Sequence, residues 1–73
     1  MLSQCQKQTL QYRMYLMQTA EDYYTLHLQT DNAYRIARNY RKHSFLQQAE
    51  FDGLYLEIKN LYKKIWLELL AIY

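Results

Sequence analysis

The sequence has no proline, no valine and a single glycine, Gly53, in 73 residues. Without proline no residue removes a donor from a helical hydrogen-bond ladder. With one glycine, neither a phosphate-cradling loop nor a dinucleotide fingerprint can be built. A single cysteine, Cys5, rules out an internal disulfide and fits a reducing compartment. Long apolar runs are missing as well. The most apolar stretch, Ile65 to Tyr73, is interrupted by Glu68 and falls far short of the ~20 residues that cross a bilayer. The first residues contain no apolar core of the kind a secretory signal needs, so the expected location is cytoplasmic.

Reactive constellations are equally scarce. His27 and Asp31 lie four residues apart, a spacing two metal ligands can use, but a zinc site needs three or four and no further pair is near. Cys5 sits among glutamines with no local base. Glu21 and Asp22 are adjacent and diverge by ~100° on a helix, so they cannot face each other as a carboxylate pair. We therefore expect no catalytic, cofactor or metal site and no small-molecule substrate; the chain does not read as an enzyme.

What is present is helix-forming vocabulary: Leu, Gln, Lys, Glu, Arg and Met, whose straight side chains lose little freedom in a helix. Nine tyrosines accompany them, each with an apolar ring and a polar tip suited to half-buried seams. A chain of 73 residues makes one domain, 1–73, and buries only ~60% of its unfolded surface, so its own core is small.

Two Ser-x-x-Gln capping boxes, Ser3 with Gln6 and Ser44 with Gln47, predict helix starts. The polar run Arg41-Lys42-His43 before the second predicts a turn. The cluster Thr30-Asp31-Asn32 is a further possible break. A 3.5-residue seam nevertheless runs from Tyr12 through Leu16, Thr19, Tyr23, Leu26, Thr30, Ala33 and Ala37 to Tyr40, straight past it. A second seam joins Phe51, Leu54, Ile58, Leu61, Ile65 and Ile72. Folding the chain back near His43 sets the seams against each other, with facing residue numbers that sum to about 87 or 88. Small residues then meet large ones, Arg38 approaches Glu50, and Arg35 approaches Asp52. The expected architecture is all-α: an antiparallel helical hairpin with coiled-coil-like packing, or alternatively a three-helix bundle broken near Asp31.

The hairpin leaves apolar surface uncovered. Its second helix ends at Tyr73, and the first overhangs with a second stripe: Leu2, Leu10, Met14, Met17, Tyr24 and Leu28. A helix with two apolar stripes is contacted from two sides. At the other end Trp66, Leu67 and Leu70 lie off the seam. Leu10, Met14, Met17, Tyr24, Trp66, Leu67 and Leu70 are therefore the expected docking residues for a protein partner or a second copy. The implied function is a small interaction module: an adaptor, assembly chaperone or stoichiometric regulator.

A competing reading rests on charge. Residues 1–31 carry net −1, residues 32–48 net +4 with no acid, and residues 49–73 net −1. Arg35, Arg38, Arg41 and Lys42, interleaved with tyrosines, suit a helical nucleic-acid-binding regulator that leans cations on phosphates and rings on bases. The total charge of only +2 argues against it.

Overall fold

The computed structural model describes residues 2–72, so Tyr73, read above as the end of the last helix, lies outside the described residues. Three helices follow in order: α1 (Gln4–Gln18), α2 (Tyr23–Lys42) and α3 (Gln48–Ile72). The chain is all-α, and each helix packs against both others. α2 and α3 form the expected antiparallel hairpin. α1 folds back along it and runs parallel to α3, so that Leu2 and Leu10 lie near Ala49 and Leu54.

α1 opens with the capping box read from the sequence. The Gln6 amide donates to Ser3 Oγ at 3.2 Å, and the Ser3 amide donates to Gln6 Oε1 at 2.8 Å. The first break falls at residues 19–22, not near Asp31. Asp22 has an extended backbone and takes the Thr25 amide at 2.7 Å on its carboxylate, starting α2. This hydrogen bond holds its carboxyl below the ordinary value of 3.8. Thr30 leaves the helix intact because its buried hydroxyl donates to the Leu26 carbonyl one turn back, at 2.7 Å.

The second turn comes at the expected place with different chemistry. Ser44 does not cap α3; it takes the left-handed conformation, φ 65°, one residue beyond His43, which caps the end of α2. Its amide donates to the Arg41 carbonyl at 3.1 Å, and the Phe45 amide donates to the Tyr40 carbonyl at 2.8 Å. These two bonds make a complete Schellman stop. α3 starts three residues later, where Glu50 reaches back to accept the Gln47 amide at 3.1 Å.

Met17, Leu26 and Ile58, one from each helix, are fully buried. Each contributes roughly 1.5–3 kcal/mol of burial. Ala33 and Ala37 on α2 are also sealed from solvent, and their small size lets Phe51, Leu54 and Ile65 of α3 pack against the same core. The α2 seam and most of the α3 seam thus face inward as expected, but Ile72 is exposed. On α1 the two stripes exchange roles. Leu10 and Met17 face the core with Met14 beside them, whereas Tyr12, placed on the seam, is exposed. The phase shifts because the connection at residues 19–22 lets α1 rotate independently of α2.

Candidate functional site

Along the outer edge of the α2/α3 hairpin runs a series of facing rings. Tyr23 meets Trp66 with ring centroids 5.8 Å apart, His27 meets Tyr62 at 5.3 Å, and Tyr34 stacks on Tyr55 at 4.8 Å. The residue numbers of every pair sum to 89, one or two more than the register read from the sequence. The Tyr62 hydroxyl lies 3.2 Å from the His27 ring nitrogens. Burial, then electrostatic repulsion from the neighbouring Tyr55 and Tyr62, push the Tyr34 phenol above its ordinary value.

The changed register redistributes the charges. Arg35 does not reach Asp52; its Nε bonds Asp31 at 2.8 Å within α2, a favourable (i, i+4) pair. Asp52 instead accepts from Gln48 at 2.8 Å, and Glu50 is occupied at the start of α3. Arg41 Nε donates to Gln48 Oε1 at 3.2 Å. Arg38 and Lys42 stand exposed on α2. Two of the four cations assigned to the nucleic-acid reading are thus engaged inside the molecule.

The residues expected to dock a partner separate into two sets. Leu10 and Met17 are buried in the chain's own core and Met14 packs against it, so this fold does not present them to another protein. The α1 part of the stripe that called for a second chain thus packs into the core with α2 and α3, while its α2 members Tyr24 and Leu28 stay exposed. Tyr24 stands 78% exposed on α2. Leu67 and Leu70 are 50% and 52% exposed on α3, with Trp66 partly exposed beside them.

Leu56, absent from the docking residues read from the sequence, belongs with this second set. At 100° per residue, Trp66, Lys59, Leu70, Lys63, Leu56 and Leu67 fall in that order within an arc of about 100° on the outward side of α3. A depression of about 570 Å³ opens there between Leu56, Lys59, Lys63 and Trp66. The sequence signal for Leu56 is its spacing of 11 residues from Leu67, three helical turns on the same side.

Among the described residues no group of three or more His, Cys, Asp or Glu side chains converges to hold a metal ion. Nor, among the same residues, is any helix long and apolar enough to cross a membrane. The fold and its exposed α3 stripe define a small three-helix domain with an apolar face open to solvent. No protein-family model, curated protein or solved structure matches the chain.

Proposed function

We propose that this chain is a helical protein-interaction module that lays the outward side of α3 on another protein, as an adaptor, assembly chaperone or stoichiometric regulator. One observation carries the reading: Leu56, Trp66, Leu67 and Leu70 are all exposed and fall on one side of α3. Exposed apolar side chains gathered on one side and rimmed by polar groups mark contact sites, and tryptophan is a common anchor in them. Lys59 and Lys63 within the stripe favour a partner whose apolar groove carries an acidic rim. The lone exposed thiol of Cys5 suits the reducing cytoplasm, where we place the protein.

The test compares two double variants in pull-downs from native lysate, with and without nuclease. Leu67→Glu with Leu70→Glu is expected to abolish capture of a protein that wild type retains, while Arg38→Gln with Lys42→Gln leaves it unchanged. Light scattering on the isolated chain shows whether the same stripe also joins two copies. A nuclease-sensitive complex lost in the basic-residue variant and kept in the α3 variant overturns the proposal in favour of nucleic-acid binding.

A further inference from the structure

The ring pairs along the α2/α3 edge are unevenly spaced. Tyr23 and His27 are one turn apart on α2, about 6 Å, and their partners Trp66 and Tyr62 match them on α3. The next pair, Tyr34 with Tyr55, comes two turns further on, about 10.5 Å away. The position between, where the numbers again sum to 89, holds Thr30 and Lys59. Neither carries a ring. Thr30 is buried with its hydroxyl already satisfied by the Leu26 carbonyl, and Lys59 is exposed. A cleft of about 410 Å³ lies where the missing pair would be, walled at one end by His27 and Tyr62 and at the other by Tyr34 and Tyr55.

The dimensions suit a flat guest. The helix positions that carry the two ring pairs are about 10.5 Å apart along the axis, so a ring placed midway lies about 5 Å along the axis from each pair, on the scale of favourable ring–ring contact. The charges suit an anion. Lys59 stands at the cleft, and the one acid there, Asp31, is paired with Arg35 at 2.8 Å. Tyr34 and Tyr55 line the space with hydroxyls, and the Tyr62 hydroxyl there already meets the His27 ring.

We propose that this cleft is a binding site for a small planar aromatic carboxylate of one or two fused rings, which lies between the Tyr34/Tyr55 and His27/Tyr62 pairs and places its carboxylate on Lys59. The site adjoins the outward α3 stripe and differs from it in the groups it uses for recognition: tyrosine and histidine rings and one ammonium, rather than leucines and one tryptophan. Lys59 and Tyr62 line both, so occupancy of the cleft withdraws a cation from the docking surface.

The test titrates the intact chain with naphthalene-2-carboxylate, its neutral alcohol naphthalene-2-methanol, and 2-naphthyltrimethylammonium, following the tyrosine ring signals by NMR. The carboxylate is expected to bind saturably and to shift the Tyr34, Tyr55 and Tyr62 rings. Lys59→Gln is expected to weaken the carboxylate about five-fold and to leave the alcohol within about two-fold, the effect of losing one partly exposed charge contact. Tyr55→Leu, which keeps bulk but removes a ring wall, is expected to abolish binding of both. No saturable binding, tighter binding of the ammonium compound than of the carboxylate, or an unchanged affinity in Tyr55→Leu overturns the assignment.

Discussion

Phe45 closes the end of α2 on Tyr40 in two ways at once: its amide donates to the Tyr40 carbonyl at 2.8 Å, and its ring meets the Tyr40 ring edge-on at 6.1 Å. This pairing of a backbone bond with an apolar contact is the form a helix stop takes when the residue between is left-handed. Here that residue is Ser44, and serine carries a Cβ penalty in this region that glycine escapes. Ser44→Gly is therefore expected to stabilise the fold by about 0.5–1 kcal/mol. The midpoint of thermal unfolding should rise by roughly 2–8 °C for a domain of this size. A lower midpoint would mean that the serine hydroxyl contributes more than the backbone strain removes.

Met17 and Leu70 separate the inside of this molecule from its outside. Met17 is fully buried at the meeting of the three helices, whereas Leu70 is 52% exposed. Met17→Ala is expected to cost about 2–5 kcal/mol, a large share of the roughly 4–11 kcal/mol a domain of this length has. Leu70→Ala should change stability by no more than about 0.5 kcal/mol. Urea denaturation followed by circular dichroism measures both. Equal losses would place Leu70 in the core and remove it from the docking stripe.

Much of this arrangement is legible in the residues alone. The Ser3 box, the turn after Lys42 and the inward seams of α2 and α3 follow from local hydrogen-bonding chemistry and helical period, and both are properties of short stretches. The break at residues 19–22 is not legible, for two reasons. Thr19, Ala20 and Glu21 contain neither glycine nor proline, and the seam keeps its phase across the gap because Tyr23 and Leu26 continue the count from Leu16 and Thr19. Asp22 reads as half of a solvated acidic pair and in the fold is a helix start. Once α1 is a separate helix it can turn, and its stripe of Leu10, Met14 and Met17, which has no partner in a hairpin, finds one in the same chain. The α3 members of the candidate surface are easier to read. Trp66, Leu67 and Leu70 lie off a seam that is already filled by Ile58, Ile65 and Leu69, whatever the rest of the chain does.

Asp22 should make stability depend on acid. Its carboxylate accepts the Thr25 amide at 2.7 Å, which holds its folded value below the 3.8 expected when unfolded. A group lowered in the folded state stabilises above its unfolded value, and that contribution disappears as pH falls through the folded one. Asparagine at this position, introduced as Asp22→Asn, caps about as well and does not titrate. Wild type is therefore expected to lose stability relative to Asp22→Asn as pH drops below about 4, with a constant difference between about pH 5 and 7. Thermal melts at matched ionic strength read this directly. Parallel curves through the acid range would show that the cap contributes equally in both protonation states.

Gly53 is the only glycine, and it sits inside α3 where a residue with a side chain would hold the helix better. Glycine in a helix interior costs about 1 kcal/mol relative to alanine. Such a residue is tolerated when its missing Cβ lets another part of the chain approach, but a Cβ added at Gly53 would meet nothing within 4 Å. The position lines an open groove of about 470 Å³ between α1 and α3, next to Ala49 and Leu54. The folded chain itself thus gives no reason for the glycine. Gly53→Ala is expected to raise stability by about 1 kcal/mol with no change in the dispersion of an amide NMR spectrum. Gly53→Leu gives the complementary measurement, since the groove is open and a longer side chain should also fold. If Gly53→Ala lowers stability instead, α3 must bend or close on α1 at this point in solution.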